Sequence, residues 1–262
     1  MHEMVKYHND LNTVPMRKFS EIELNIFMAV VQQMRDKSTN KIQLSFDRLK
    51  ELSNWKIRRK DDAEFAKHLH SVAEKLIHLS GTRWSPDGKS FDMFILFTRF
   101  KASSEQQTLD VSVNPEFEYI LNDFAGGRFD QYELAEFVAL STTYGKALYR
   151  LLKQYRTTGY LKLSLDKFRE LLAVPKSYTI SDIDKNVFTK STRMDMANAF
   201  RHLKIKKVYG KGRGKPLAGY EFLFDKEVAN ADQKRIEFDK RAMQGFNPNN
   251  TSADWDFRKL LE

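Results

Sequence analysis

One eight-residue element occurs twice in this chain. Ser45-Phe46-Asp47-Arg48-Leu49-Lys50-Glu51-Leu52 returns 119 residues later as Ser164-Leu165-Asp166-Lys167-Phe168-Arg169-Glu170-Leu171, with four positions identical and the other four exchanging apolar for apolar or base for base. The match reaches upstream, where Ile42 and Leu44 correspond to Leu161 and Leu163 and alternate like a short strand in both copies. A match over one short helical pattern arises by chance. Here, however, each copy follows an amphipathic helix and precedes a further helix and an apolar hairpin. Two copies of one small module is the economical reading, and 262 residues suit two small domains.

In the first copy, Ser20 and Glu23 form a capping-box pattern, and Leu24, Phe27, Met28 and Val31 then trace one helical face. Strand Ile42–Leu44 leads to a short helix near Asp47–Ser53. A longer helix, about Asp62–Leu79, carries Phe65, Leu69, Val72, Leu76 and Leu79 on its core face. Strand Thr82–Trp84, the turn Ser85-Pro86-Asp87-Gly88 and a return strand over Phe91–Phe100 make a hairpin, followed by a strand with Leu109, Val111 and Val113 alternating inward. Helices followed by a hairpin are the order of a winged helix-turn-helix. The second copy opens after a linking helix near Glu116–Asn122 and a joint at Ala125-Gly126-Gly127. It repeats the plan: helices around Phe137 and Leu148, strand Leu161–Leu163, helix Asp166–Leu172 broken by Pro175, and a helix from Ser181, with Asp184 as its cap partner, to about Phe200. Strand Leu203–Tyr209, the turn from Gly210 to Pro216 and strand Leu217–Phe224 close it. The expected fold is α+β, two tandem winged-helix domains at 1–122 and 123–225, with residues 226–262 as a partly helical or disordered tail.

Charge separates the two copies. Residues 1–122 carry a net +1 and residues 123–225 a net +8, out of +9 for the whole chain. A field concentrated in one module favours a polyanion, and nucleic acid is the commonest. The chain has no Cys, which excludes disulfides, thiolate metal sites and cysteine nucleophiles and points to a reducing compartment. No apolar run reaches the roughly 18 residues that cross a bilayer, and the polar opening does not read as a signal peptide. A cytoplasmic protein with no membrane partner is expected.

Several segments together resemble one family. They are Val5-Lys6-Tyr7-His8-Asn9-Asp10-Leu11-Asn12; Tyr144-Gly145-Lys146-Ala147-Leu148-Tyr149-Arg150-Leu151-Leu152-Lys153-Gln154-Tyr155; Phe168 through Tyr178 followed by Asp182-Ile183-Asp184-Lys185; and Leu203-Lys204-Ile205-Lys206-Lys207. Over residues 4–225 the chain resembles the theta-type plasmid replication initiators. The resemblance implies tandem winged-helix domains that bind directly repeated double-stranded DNA sites, or iterons, at a plasmid origin in a bacterial cytoplasm. It also implies a monomer–dimer equilibrium in which the dimer autorepresses, and host replication initiator and replicative helicase as protein partners. After Val187-Phe188 the family usually continues with a proline and apolar residues. Here Thr189-Lys190-Ser191-Thr192-Arg193 is polar throughout, so the resemblance does not set where this helix ends. A winged-helix transcriptional repressor with no replication role is the alternative.

A helix-turn-helix places its second helix in the major groove. On the helix from Ser181, Ile183, Val187 and Met194 are expected to face the core, leaving Lys185, Asn186, Thr189, Lys190 and Arg193 outward. An amide such as Asn186 pairs adenine at two points, and Lys185 or Arg193 suits guanine. Ser177 and Tyr178 precede the helix, where a hydroxyl can meet a phosphate; packing of Tyr178 into the core is the other reading. Between Asp195 and Glu221 stand seven bases and no acid, so the wing is expected to meet phosphates through Lys204, Lys206, Lys207, Lys211, Arg213 and Lys215. In the first module Lys56, Arg58, Arg59 and Lys60 cluster before the long helix, and Lys67 lies on it. Phosphate contact and a dimer surface both stay open there.

No catalytic residue, cofactor or metal is expected. His68-Leu69-His70 has the spacing of a nicking-enzyme metal motif, but on a helix residues i and i+2 point about 200° apart and cannot share an ion. The glycines from Gly210 lack the phosphate-loop spacing, and Pro216 stands where that loop needs Ser or Thr.

Overall fold

The computed structural model describes residues 3–227 apart from 15, 17, 36, 38–40, 56–61, 79, 86, 123–128 and 212–213. Strand β1 (Met4–His8) and a 3-10 turn (Asn9–Thr13) lead to helix α1 (Glu21–Met34). Ser20 and Glu23 cap α1 reciprocally, as their spacing predicts. Then come β2 (Ile42–Ser45), α2 (Phe46–Leu52), α3 (Asp62–Ile77), the hairpin β3 (Ser80–Trp84) and β4 (Phe91–Ile95), and strands β5 (Phe97–Ser103) and β6 (Thr108–Val113). A short helix, α4 (Tyr119–Asn122), and strand β7 (Phe129–Glu133) precede α5 (Leu134–Ala139) and α6 (Thr143–Lys153). The second copy continues with β8 (Tyr160–Ser164), α7 (Leu165–Leu171), α8 (Ile180–Asp182) running into a π-turn (Ile183–Val187), α9 (Lys190–Ala199), β9 (Lys204–Tyr209) and β10 (Leu217–Leu223).

The repeated residues fold alike down to their hydrogen bonds. Ser45 caps α2 by accepting from the Arg48 amide, and Ser164 caps α7 by accepting from the Lys167 amide, each at 3.2 Å. Both helices end on a left-handed residue, Asn54 (φ 54°) and Ala173 (φ 50°), again 119 residues apart. The closing bonds match as well: the Trp55 amide to the Lys50 carbonyl at 2.9 Å and the Val174 amide to the Arg169 carbonyl at 2.8 Å. Alanine pays a steric penalty in this conformation that glycine does not, partly offset by glycine's freer unfolded chain. Ala173→Gly is expected to raise stability by about 0.5 kcal/mol, read as a shifted urea midpoint; a fall would mean that the methyl group packs usefully.

The sheets share one strand order as well. β2-β6-β5 in the first module corresponds to β8-β10-β9 in the second, all antiparallel. Each repeat helix packs through an aromatic contact, Phe46 of α2 against Phe65 of α3 at 5.2 Å and Phe168 of α7 against Tyr220 of β10 at 4.5 Å. Gly219 lies where β10 crosses β8, and a Cβ there would stand 2.0 Å from the Leu163 carbonyl oxygen. Gly219→Ala should therefore cost about 1–3 kcal/mol by overpacking. At Gly210 the nearest atom to an added Cβ is 3.6 Å away, so Gly210→Ala serves as the control. Equal melting temperatures for the two variants would contradict the close crossing.

Two expectations change. The return strand predicted over Phe91–Phe100 is two strands with a break at Leu96. Leu96 and Phe97 are adjacent and both buried, which a straight strand, sending neighbours to opposite faces, does not allow when one face is open. β4 pairs only with β3, while β5 joins the winged sheet. The single helix predicted from Ser181 to Phe200 is also divided, as described below.

One pairing spans the chain. β1 lies antiparallel to β7, with Val5 opposite Tyr132 and Tyr7 opposite Asp130. The joint encloses a polar network. Asp130 is fully buried; one oxygen accepts from Asn12 Nδ2 at 2.5 Å and the other has no partner. Burial pushes its carboxyl up to about 7, against the pull of Asn12, Arg150 and Arg156. Between its ordinary value of 3.8 and 7, the folded chain holds a proton that the unfolded chain has released. Stability therefore falls as pH rises through that window. The melting temperature of the native chain should drop between about pH 5 and about pH 8 by more than that of Asp130→Asn. Parallel profiles would refute it.

Candidate nucleic-acid interface

The second helix of the helix-turn-helix starts at Ile180, one residue before the predicted Ser181. Thr179 and Asp182 form its capping box, with the Thr179 amide donating to Asp182 Oδ2 at 2.8 Å. After one turn it widens into the π-turn, closed by the Phe188 amide bonding back five residues to the Ile183 carbonyl at 3.1 Å. Phe188 then leaves helical geometry, and Thr189 caps a new helix by accepting from the Thr192 amide at 3.0 Å.

The break resets the helical phase. Ile183 and Val187 face the core as expected, but Met194 is 58 % exposed. The inward positions of α9 are Thr192, Met196 and Asp195, not the heptad continuation from Val187. The polar run that departs from the family pattern has a use here. Thr192 is buried and bonds Thr142 and Thr189 through their hydroxyls, at 2.9 and 3.0 Å. Asp195 accepts from the Ser141 amide at 2.7 Å. A hydroxyl and carboxylate seam thus fixes α9 where an apolar face would otherwise be needed.

Lys185 and Asn186 lie exposed on the π-turn, and Lys190 is exposed at the start of α9. π-turns inside helices concentrate at functional sites. Thr189 is half-buried and occupied in capping. Arg193 donates from Nε to the Phe188 carbonyl at 3.0 Å, and its guanidinium lies 5.4 Å from the Phe188 ring centre. It is thereby pinned over the helix break. Across from it stands the wing. On β9, Lys204 and Lys206 are exposed, whereas Ile205 and Lys207 turn toward the helices. Lys207 donates to Asp184 at 2.5 Å, which ties wing to π-turn. Between the two runs an open groove walled by Asp184, Phe188, Arg193, Lys206, Lys207 and Tyr209.

Lys211 and Lys215 are exposed at the turn of the wing, and Ser177 is exposed ahead of α8. Tyr178 is half-buried, packs on the core and lines an internal cavity instead of the groove. Lys67 is exposed on α3, and Arg213, Arg58, Arg59 and Lys60 lie outside the described residues. Sequence reasoning did not single out Asp184 as a partner of Lys207 or Tyr209 as a groove residue. Only the exposed position of Tyr209 at the end of an alternating strand hinted at the latter. His68 and His70 lie on α3, where His68 stacks edge-on against Trp55 at 4.6 Å and His70 is exposed near Glu74. Among the described residues no group of three His, Cys, Asp or Glu could hold a metal, and no helix is long and apolar enough to cross a membrane.

Two sheets of identical strand order, each carrying a serine-capped helix and a wing, make this a tandem winged-helix protein. Residues 4–153 match the family described as Initiator Replication protein, WH1. A probable replication protein, rep, of Bifidobacterium longum (strain NCC 2705) is 34% identical over 226 residues, which cover 86% of this chain and 74% of that relative. The chain belongs to the replication initiator family. Among solved structures, the Pi initiator protein in complex with iteron DNA aligns at a TM-score of 0.59, covering 86% of this chain and 99% of that one, at 13% identity. At that identity the likeness is one of fold.

Proposed function

We propose that this initiator binds directly repeated sites in double-stranded DNA at a plasmid origin, in the bacterial cytoplasm, and starts replication there. The observation that carries this reading is the groove between the π-turn and the wing. Arg193, Lys206 and Lys207 wall it, and the same module, which holds nearly all the net charge, exposes Lys185, Asn186 and Lys190 on the π-turn and α9 and Lys204 and Lys211 on the wing. The fold neighbour crystallised on iteron DNA supports it.

In this reading the second module, residues 123–225, is the main DNA reader. Lys185, Asn186, Thr189, Lys190 and Arg193 meet base edges in the major groove. Ser177, Lys204, Lys206, Lys207, Lys211, Arg213 and Lys215 meet phosphates, while Tyr178 packs on the core. The first module, residues 1–122, adds contacts through Arg58, Arg59, Lys60 and Lys67, or uses that surface for dimerisation, and residues 226–262 form a tail. Dimers that autorepress, monomers that initiate, and contacts with a host initiator and replicative helicase complete the proposal. No catalysis is part of it.

Footprinting on the cognate origin tests it. Two modules on successive major grooves should protect about two helical turns per protomer, each roughly 10 base pairs. Protection of one turn would leave one module idle, and no protection at all would reject DNA binding.

A further inference from the structure

Three bases recur along the inner face of α6, namely Lys146, Arg150 and Lys153, and all three are buried. Lys153 is ion-paired to Glu227 at 2.8 Å and Glu136 at 3.5 Å. Lys146 and Arg150, one turn apart, make no ion pair among the described residues. Lys146 donates to the Phe137 and Val138 carbonyls at 2.7 and 3.4 Å and lies 4.6 Å from the Phe137 ring centre. Arg150 donates to the Tyr7 hydroxyl, the Leu11 carbonyl and the Met16 sulfur. Every one of these partners is neutral. Arg150 feels Asp130, which burial drives toward its own neutral form, and Lys146 feels Glu21 and Asp195 without an ion pair to either. Two buried cations with hydrogen bonds but no carboxylate paired to them are costly unless an anion comes close.

Both cations line one cavity of about 260 Å³, between the segment around Asn12 and the second module. Its other walls include Phe137, Tyr144 and Tyr178, and among the described residues no carboxylate lines it. We propose that this cavity binds a small organic anion carrying a flat ring, its charged group at Lys146 and Arg150 and its ring against Tyr144 and Tyr178. Burial already draws the Lys146 amine down to about 8, against the pull of Glu21 and Asp195, and a bound anion would restore it. Because the cavity is walled by Asn12, Val14 and Met16 on one side and by α6 on the other, an occupant would clamp the N-terminal segment to α6. The inference does not depend on DNA binding.

Calorimetric titration of the full chain tests it with four probes. Adenosine 5′-monophosphate and 4-hydroxybenzoate each join a ring to an anion, adenosine has the ring alone, and inorganic phosphate has the anion alone. At least one ring-bearing anion should saturate the chain and bind at least about tenfold more tightly than adenosine or phosphate, a difference of about 1.4 kcal/mol. Which of the two binds tells a nucleotide source from an aromatic carboxylate. Lys146→Met should weaken that binding at least about tenfold. Ala147→Met, which fills the cavity without removing charge, should do the same and decides the matter alone if Lys146→Met does not fold. The proposal is overturned if neither ring-bearing anion saturates below about 10 mM, if phosphate alone binds as tightly, or if Ala147→Met binds as the native chain does.

Discussion

Arg150→Ala is expected to destabilise the chain by about 3–5 kcal/mol, the cost of leaving buried acceptors without their donor and a cavity where a large buried side chain stood. At about 2–4 °C per kcal/mol for a chain of this size, the melting temperature should fall by on the order of 10 °C. From one side chain the guanidinium reaches the Tyr7 hydroxyl at 3.0 Å, the Leu11 carbonyl at 2.8 Å and the Met16 sulfur at 2.8 Å. Its loss leaves the Leu11 carbonyl without that donor, and it removes a cation that holds the Asp130 carboxyl down. Arg150→Lys keeps the charge but has no planar fork to serve three acceptors lying in different directions, so it should recover only part of the loss. Urea unfolding measures both. A midpoint for Arg150→Ala within about 0.5 kcal/mol of the native value would mean that the joint between β1, β7 and α6 contributes little.

The second large effect concerns sequence discrimination. If Lys185 and Asn186 read base edges from the π-turn, removing either should cost roughly 1–3 kcal/mol of preference for the cognate repeat, about a tenfold to hundredfold loss. Affinity for scrambled duplex should change little. Lys211→Ala, at the turn of the wing, should instead weaken cognate and scrambled duplex alike and make binding less steeply salt-dependent, by a slope of about 1. Titration of each variant against both duplexes at several salt concentrations separates the two behaviours. Equal losses on both duplexes for all three variants would remove the assignment of the π-turn as the reading element.

Much of this fold was legible because local chemistry repeats. Ser20 with Glu23 announces a helix start, the alternation of Ile42 with Leu44 and of Leu161 with Leu163 announces strands, and both patterns act within a few residues. The helix from Ser181 was legible only to its first turns. Its apolar spacing ran on through Met194, yet the core beyond Phe188 is satisfied by Thr192 and Asp195 bonding to Ser141 and Thr142. No periodicity in hydrophobicity can report a seam made of hydroxyls. Likewise Phe91–Phe100 reads as one apolar strand, because neither composition nor alternation shows that β4 and β5 join different sheets.

What the chain's residues determined unaided is the duplicated module, the capped helices and the concentration of positive charge in the second copy, since each depends on neighbours within a turn or two, or on a simple sum. Tertiary structure alone decided that Tyr7 meets Asp130 across 123 residues. It also decided that the bases of α6 turn inward beside a cavity, and that Lys207 is held by Asp184 at the lip of the groove. Burial and electrostatic pairing are properties of the closed fold, where groups far apart in sequence share one low-dielectric space and change each other's charge.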